Sequence, residues 1–355
     1  MSGAPAQDAT GPELPGVGRG IPNDAFERLD RAGVRVVDIL DEVEKRLARH
    51  VSSPYPFIDR AARYLLDAGG KRFRPMLVAI TAHYGDPTRD EVPDGGVVVE
   101  LVHLATLYHD DVIDEATARR GAESANLRWD NTVAVATGDF LFARASELSA
   151  DLGVETTRIM GRTIARLAEG EIREVQGSRS ALPPDVPRLE PDLEHYLAVI
   201  SEKTASLIET SCRLGALLSG CDPDTVEAAS AYGWNVGMAF QLSDDILDIA
   251  SDHEDSGKTP GTDLREGVRT LPILYALEDA PSGELADLLT GEQPLDDDGV
   301  ARALELLQAS DALDRARETA ATYVDEAVAA LAPLESGPTT TALTRIAEFA
   351  LDRVG

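Results

Sequence analysis

Two groups of three aspartates have the residue type and the spacing that suit hard metal ions. They are Asp110, Asp111 and Asp114 in the segment HDDVID, and Asp244, Asp245 and Asp248 in the segment SDDILD. On a helix, residues four apart lie on one face, so the outer aspartates of each group project together with the middle one beside them. Two helices that turn such faces toward each other form a carboxylate-lined cleft, and its mutual repulsion is relieved by cations, above all Mg²⁺.

The residues around both groups decide between a metal site and an ordinary wet surface. The chain has a net charge of −30, and in so acidic a protein one Asp-Asp pair is best explained as part of a solvated helix face. Both groups, however, have apolar neighbours, such as Leu107 and Ile113 for the first and Ile246 and Ile249 for the second. Helices with such neighbours pack inside a protein, which favours a functional cleft.

The basic residues complement this cleft. The chain has four lysines, and three of them, Lys71, Lys203 and Lys258, lie in segments that stand out for other reasons. Lys71 opens the run KRFRP after two glycines, so that Lys71 and Arg74 offer a point charge and a planar fork to phosphate oxygens. A solvated basic turn is the alternative, but three neighbouring cations are a departure in this acidic chain.

Further polar residues share the aspartate faces or follow them closely. His103 lies seven residues before Asp110, nearly two turns, so we expect its imidazole to point toward the same cleft. A lone histidine on an apolar helix is more commonly a core residue, and this alternative stays open. Gln241 lies three residues before the second group and shares its face. Two more guanidinium groups follow the first group, from Arg119 and Arg120.

The apolar pattern predicts an all-α protein. Residues 1–22 are rich in Gly, Pro and Ala, which is typical of a disordered tail. Residues 23–355 show helical periodicity without a convincing strand or repeat, so we expect a single domain, one large helical bundle with a central cleft. The β-branched segment 97–102 is assigned to a helix because its apolar spacing continues into the first aspartates. Residues 280–297, rich in Pro, Gly and Asp, are predicted to form an exposed insertion.

Composition argues against several classes of partner and location. The net charge of −30 and the pI near 4.4 argue against nucleic acid and anionic membrane surfaces as partners. No apolar run approaches the roughly 20 residues of a membrane span, and the N-terminus lacks a signal-peptide pattern. Cys212 and Cys221 are too few for a disulfide framework or a metal site, so we expect the reducing cytoplasm.

The motifs, taken together, resemble the trans-type isoprenyl diphosphate synthases, the polyprenyl synthetase family. The resemblance rests on GGKRFRP (69–75), ELVHLATLYHDDVID (100–114) followed by RRG, GDFLFARA (138–145), Lys203-Thr204, FQLSDDILD (240–248) and GKTPGTDL (257–264). These motifs follow the family's order from Ala68 to Pro272, and their combination is specific. One position departs from the family pattern, because Val268 stands where many members have a second lysine.

The resemblance implies a reaction and a division of roles. An allylic diphosphate is joined head to tail to isopentenyl diphosphate with release of pyrophosphate, and three Mg²⁺ ions held by the six aspartates neutralise the leaving group as an allylic carbocation forms. The residues implied to be catalytic are Asp110, Asp111, Asp114, Lys203, Asp244 and Asp245. The allylic diphosphate is also contacted by Arg119, Lys203, Thr204, Gln241 and Lys258. Isopentenyl diphosphate is positioned by Lys71, Arg74, His103 and Arg120.

Small residues before the first aspartate bear on product length. In family members a bulky residue four or five positions before it blocks the growing chain, and here these positions hold Thr106 and Ala105. We therefore expect roughly seven to ten isoprene units, or roughly 35 to 50 carbons, of the kind used for quinone side chains. Candidate floors lower in the tunnel are Phe140, Phe142 and Met160.

Three alternatives remain beside this interpretation. A geranylgeranyl diphosphate synthase is the nearest and differs in product length. A class I terpene cyclase also uses a DDxxD cleft, but it needs no isopentenyl site, so GGKRFRP and SDDILD argue against it. A non-catalytic partner subunit is expected to have lost aspartates or the basic segment, which this chain keeps. The resemblance further implies a homodimer that pairs through helices next to the first aspartate helix.

Overall fold

The structure, a computed structural model, describes residues 36–177, 189, 191–250, 260–291 and 295–354. The predicted tail (1–22) and Lys258 lie outside these residues. In the described ranges the helices are α1 (Val36–His50), α2 (Pro56–Asp67), α3 (Phe73–Thr81), α4 (Glu91–Ile113), α5 (Ala125–Arg128), α6 (Asn131–Asp151), α7 (Val154–Gly177), α8 (Leu193–Ile200), α9 (Ser206–Leu218), α10 (Pro223–Ala250), α11 (Thr262–Glu266), α12 (Leu271–Asp279), α13 (Glu284–Thr290), α14 (Asp297–Gln308), α15 (Ala312–Ala330) and α16 (Pro338–Asp352).

Two long helices, α4 and α10, carry the aspartate groups and run through the core. Apolar residues surround α4, so most of its 23 residues are buried, including the β-branched run Val97–Val99. α4 packs against α6, and α10 packs against α9 and α15. The predicted helical bundle is therefore confirmed. Of the helices in the described ranges, none is long and apolar enough to cross a membrane.

A short hairpin is a difference from the prediction of a chain without strands. Ala118–Arg119 pairs antiparallel with Ala122–Glu123, and the turn between them is Arg120-Gly121. Both turn residues have positive φ, the conformation that tight hairpins require. Four residues are too few to show in sequence periodicity, but the hairpin fixes Arg119 and Arg120 directly after the first aspartate group.

Two further segments differ from the periodicity-based assignment. The predicted insertion 280–297 contains α13, whose Ala286 and Leu289 are buried, so this segment contributes to the core. Between α8 and α9 the helical pattern is interrupted by a π-helical turn at Ser201–Ala205. π-helical turns are rare and concentrate at functional sites. This one carries Lys203 and Thr204.

Candidate active site

Both aspartate groups lie at the C-terminal ends of their helices. α4 ends at Ile113, with Asp114 as its cap, and α10 ends at Ala250 shortly after Asp248. A helix C-terminus carries a partial negative charge, so carboxylates placed there are destabilised and favour a bound cation. The helix ends therefore reinforce the demand for metal that the clustered carboxylates create.

The middle aspartate of each group is buried and bonded to the protein. Asp111 is 0% exposed, and its carboxylate accepts hydrogen bonds from Arg119 Nε at 2.6 Å and from the Ala125 amide at 3.4 Å. Asp245 accepts from the Tyr196 hydroxyl and from Gln241 Nε2, the latter at 2.8 Å. Both middle aspartates thus hold neighbouring side chains in place: Asp111 holds Arg119, and Asp245 holds Tyr196 and Gln241.

The outer aspartates have more varied surroundings. Asp248 caps the first turn of α11, because its carboxylate accepts from the amides of Thr262 and Asp263, each at 3.1 Å. Asp244 is paired with Arg353 at 2.6 Å. In the first group, Asp110 and Asp114 lie within electrostatic reach of Lys203, which comes from the π-helical turn.

Two acids that sequence reasoning missed join the first aspartate group. We call Asp110, Asp111, Asp114 and these two acids the first bank. Glu171 and Glu174 lie on α7, and both are ion-paired with Lys203; the Glu171 Oε2 to Lys203 Nζ distance is 2.8 Å. The other carboxylate oxygen of Glu171 is buried without a hydrogen-bond partner. Their spacing of three residues places them on one helix face, but nothing local distinguishes them from other acids of α7. Only tertiary packing brings them to Lys203.

The titration behaviour of the cleft reflects its crowding. Burial raises the pKa of Asp110 to about 7, with Glu171 and Asp114 adding to the effect and Lys203 opposing it. Burial also raises the pKa of Asp114. Burial by itself lowers the pKa of Lys203, but the charges of Glu174 and Glu171 reverse this and raise it above its usual value. The lysine is therefore firmly cationic, whereas the aspartates hold their charge only at a cost.

The second aspartate group and Asp263 form the second bank, in which burial raises the pKa values of two acids. Burial raises the pKa of Asp245 to about 7, although its hydrogen bonds from Tyr196 and Gln241 work against this. Burial, together with the charges of Asp245 and Asp248, raises the pKa of Asp263 to about 8. Asp263, in the first turn of α11, is a further acid of the cleft that sequence reasoning did not identify.

The donor set fits Mg²⁺. All candidate ligands are carboxylate oxygens, and burial raises the pKa values of Asp110, Asp114 and Asp245, as expected of a site that is stabilised by a divalent cation. Within the described ranges, no group of three or more acidic, histidine or cysteine side chains could hold a metal ion by itself. Magnesium is commonly bound by one or two carboxylates, with substrate phosphates and waters completing the shell. Separate banks of carboxylates therefore suit a metal that binds together with a diphosphate.

A cationic cavity of about 440 Å³ adjoins the second bank. Its lining includes most of the residues predicted to bind substrate. The full lining is Gly70, Lys71, Arg72, Phe73, Arg74, Glu100, His103, Arg120, Thr204, Ile208, Phe240, Gln241, Asp244 and Arg353. Arg119 is not among them, since it is turned to Asp111. The structure therefore brings Lys71, Arg74, His103 and Arg120 together, from segments up to 49 residues apart in sequence.

The cavity is charged to receive an anion. Arg74 is half-buried, its Nε is enclosed without a hydrogen-bond partner, and burial lowers the pKa of its guanidinium to about 10. Burial and the nearby charges of Arg74 and Arg120 hold the pKa of His103 well below its usual range. His103 is therefore neutral at pH 7 and serves as a hydrogen-bonding group. A guanidinium with an unbonded, enclosed N–H group is stabilised when an anion binds beside it.

A hydrogen-bonded chain joins this cavity to the second bank. Thr204 Oγ1 donates to Gln241 Oε1 at 2.9 Å, and Gln241 in turn donates to Asp245. The π-helical turn that presents Thr204 packs closely on Gly237 of α10, where an added Cβ would lie 2.5 Å from the Ala205 Cα. Any side chain at position 237 would displace the turn. The absence of a side chain at Gly237 thus lets the turn that carries Lys203 and Thr204 lie close against the aspartate helix α10.

The structure distinguishes among the residues proposed to set product length. Ala105 is fully buried, and Thr106 is half-buried with its hydroxyl bonded to the His103 carbonyl at 2.9 Å. Phe140 lies under the Arg144 guanidinium, and Phe142 lies against the His109 ring with centroids 5.5 Å apart. Met160 is 2% exposed, within the same core cluster as Ala105. Of the three candidate floors, Met160 has the surroundings that suit a buried stop.

Comparisons with known proteins identify the family of the chain. The model of the polyprenyl synthetase family matches residues 55–307. Nonaprenyl diphosphate synthase from Mycobacterium tuberculosis is 45% identical over 334 residues, 93% of this chain and 95% of that protein. Among solved structures, a decaprenyl diphosphate synthase from Rhodobacter capsulatus has a TM-score of 0.82 and 32% identity, covering 92% of this chain and 99% of that one.

A second solved structure bears on the metal and the product. A geranylgeranyl pyrophosphate synthase from Corynebacterium glutamicum, complexed with calcium and isoprenyl diphosphate, has a TM-score of 0.79 and 44% identity. The match covers 90% of this chain and 96% of that one. A divalent cation and a prenyl diphosphate are thus recorded for that protein.

Proposed function

The chain belongs to the polyprenyl synthetase family of prenyltransferases, and we propose that it condenses isopentenyl diphosphate head to tail with an allylic diphosphate such as farnesyl or geranylgeranyl diphosphate. The proposed product is a polyprenyl diphosphate of roughly 35 to 50 carbons, destined for a quinone side chain. Small residues at Ala105 and Thr106 support the long product, as does the similarity to nonaprenyl and decaprenyl synthases.

One observation carries the proposal: the cationic cavity opens onto an aspartate of the metal-binding bank. Asp244 lines the same cavity as Lys71, Arg74 and His103. A diphosphate held by the cations is thereby brought next to a second substrate held at the carboxylates. Two anionic substrates would repel each other in water. Here the cations of the cavity hold one, the metal-binding carboxylates hold the other through the metal, and the two are positioned side by side.

The two banks bind and orient the allylic diphosphate. The six aspartates, Asp110, Asp111 and Asp114 in the first group and Asp244, Asp245 and Asp248 in the second, are the proposed ligands of three Mg²⁺ ions. Asp111 and Asp245 also accept hydrogen bonds that hold neighbouring side chains in place. When bound, the metal supplies Lewis-acid stabilisation of the leaving pyrophosphate. Lys203, Thr204 and Gln241 are proposed to contact the same diphosphate, as are Arg119 and Lys258.

The cavity residues orient isopentenyl diphosphate. Lys71, Arg74 and Arg120 are proposed to bind its diphosphate, and neutral His103 to donate a hydrogen bond to it. Its double bond then faces the allylic carbon. The allylic carbon–oxygen bond breaks first and leaves an allylic carbocation and pyrophosphate. The double bond of isopentenyl diphosphate then forms the new carbon–carbon bond, and the proton lost from the resulting cation passes to the departing pyrophosphate. This reaction needs no side chain as a base.

Two further aspects belong to the proposal. We place the reaction in the cytoplasm, in keeping with the free thiols of Cys212 and Cys221. We also propose a homodimer that pairs through α6 and α7, the helices that follow the first aspartate helix. A geranylgeranyl diphosphate synthase is the second candidate, favoured by the 44% identity to the Corynebacterium glutamicum enzyme.

Product analysis tests the proposal directly. The purified protein is incubated with Mg²⁺, isopentenyl diphosphate and farnesyl diphosphate, and the products are identified by mass spectrometry, with EDTA-treated protein and the Asp244→Asn variant as controls. A metal-dependent ladder that ends at one long prenyl diphosphate is expected. A stop at geranylgeranyl diphosphate would keep the reaction and reject the long product. No elongation with any allylic primer would overturn the proposal.

A further inference from the structure

Glu100 is a buried acid among arginines in the wall of the cationic cavity. It lies on α4, one turn before His103, and is 1% exposed. Arg72 Nη1 donates to Glu100 Oε1 at 3.0 Å, and Arg120 Nη2 lies 3.8 Å from the same oxygen. One carboxylate oxygen thus serves two guanidinium groups that reach it from different segments of the chain.

Both of these arginines have a left-handed backbone, with φ of 48° at Arg72 and 53° at Arg120. This conformation costs a residue other than glycine about 1 kcal/mol or more, so other contacts must hold it. The two guanidinium groups meet at Gly70, where an added Cβ would lie 2.6 Å from Arg72 Nη1 and 2.9 Å from Arg120 Cζ. Guanidinium groups this close repel each other, and Glu100 supplies the opposing charge.

The charges of the wall are balanced for a diphosphate. Five of the residues that line the cavity are cations, namely Lys71, Arg72, Arg74, Arg120 and Arg353, and two are carboxylates, Glu100 and Asp244. The lining therefore carries more positive than negative charge, which suits a diphosphate. Arg72 is bonded to two carboxylates, Glu44 and Glu100. The two carboxylates differ in burial, since the Glu44 side chain is 45% exposed and that of Glu100 is 2% exposed. Only the buried one lies between two arginines.

We propose that Glu100 is a positioning residue for isopentenyl diphosphate: its carboxylate anchors Arg72 and holds the Arg120 guanidinium in the orientation that the bound diphosphate meets. The inference rests on the proposed function. Glu100 acts through the arginines and does not touch the substrate. Arg72 donates hydrogen bonds to Glu100 and Glu44, and these bonds fix the start of the KRFRP segment. Arg120 has further N–H groups that can donate to phosphate.

The Glu100→Gln variant tests this role, because it keeps the shape of the side chain and removes its charge. We expect KM for isopentenyl diphosphate to rise about tenfold or more, since charge-assisted hydrogen bonds of this kind are worth about 1.5–3 kcal/mol. Both kcat and KM for the allylic substrate should stay within about threefold. Glu100→Asp, which keeps the charge, should recover part of the loss. Glu44→Gln removes the same charge at the exposed partner and should change KM by less than about threefold.

Several results would overturn the inference. If charge alone matters, Glu100→Gln makes the wall more positive, and KM for isopentenyl diphosphate falls. Equal effects of Glu44→Gln and Glu100→Gln would also assign the effect to net charge. A rise in both KM values, or unfolding of Glu100→Gln and Glu100→Asp at 25 °C by circular dichroism, would make Glu100 a structural residue. If the wild-type protein fails to elongate any primer, the proposed function itself fails.

Discussion

Arg353 Nη2 lies 2.6 Å from Asp244 Oδ1, so a residue close to the C-terminus is paired with the first aspartate of the second group. The guanidinium also lies 5.2 Å from the centroid of the Phe240 ring, and its Nη1 is buried without a partner. Both members of the pair line the cationic cavity. A cation that binds Asp244 must therefore compete with a guanidinium already in place.

Removal of this competitor should strengthen metal binding. With pyrophosphate present, we expect Arg353→Gln to bind Mn²⁺ about threefold more tightly, because a partly exposed ion pair is worth up to about 1 kcal/mol. Isothermal titration calorimetry with Mn²⁺ measures the change. Arg345→Gln is the matched control, since Arg345 lies on the same helix and pairs with Glu348 at the surface. Equal affinities of Arg353→Gln and wild type would show that the pair breaks without cost.

The raised pKa values of the cleft predict a pH-dependent stability. The pKa is about 7 for Asp110 and Asp245 and about 8 for Asp263, all above the value in an unfolded chain. Between about pH 4 and pH 8 the folded protein therefore binds more protons at these sites than the unfolded chain, and the free energy of unfolding falls as pH rises. His103, with its lowered pKa, has the opposite effect below about pH 6.5.

The effect of the acids is therefore best measured between about pH 6.5 and 8.5, where the opposing effect of His103 is absent. In urea titrations without metal, the free energy of unfolding should decline across this window. Mg²⁺ with pyrophosphate should reduce the slope, because bound cations lower the pKa values of the aspartates. Asp263→Asn should flatten the metal-free profile, whereas Asp325→Asn, at an exposed position of α15, should leave it unchanged. A metal-free profile that rises with pH would contradict the raised pKa values.

A bulky residue at position 105 should shorten the product. Ala105 is fully buried on α4, five residues before Asp110. Ala105→Phe is expected to shift the product to fewer isoprene units, measured by mass spectrometry, at a stability cost of about 1–3 kcal/mol from overpacking. Ala329→Phe makes the same change at an exposed position of α15 and should not alter the product. An unchanged product from a folded Ala105→Phe variant would reject the tunnel assignment.

Local patterns in the sequence predicted the parts of the site that depend on local geometry. Asp110 and Asp114 share a face because they are four residues apart, and this holds in any α-helix. The pairing of Arg353 with Asp244 spans 109 residues and depends on how α16 packs, which no local pattern contains. The same is true of Glu171 and Glu174, which resemble ordinary surface acids of α7 until Lys203 is placed between them.

The burial of Asp111 shows a different limit. Helical spacing places it beside the cleft face, but its direction is decided by the hairpin, which brings Arg119 to within 2.6 Å. The π-helical turn at Ser201–Ala205 likewise depends on a neighbour, since Gly237 of α10 leaves the space it occupies. Periodicity describes which face of a helix is apolar. It does not describe which partner each polar residue meets.

We expect the proposed dimer to form through the outer face of α7. Its exposed residues include Val154, Gly161, Ala165, Ala168 and Ile172, whose three-, four- and seven-residue spacings form one stripe, and Val154 and Ile172 are 75% and 70% exposed. Small and apolar residues at this spacing allow two helices to pack closely.

A charge in the centre of this stripe should separate the subunits. We expect the wild-type protein to have twice the chain mass of 37.9 kDa by size-exclusion chromatography with light scattering, and Ala165→Arg to have the mass of one chain, because an arginine buried without a partner is costly. Ala329→Arg, on the exposed face of α15, is the control and should remain dimeric. If Ala165→Arg keeps the wild-type mass, the subunits pair through another surface.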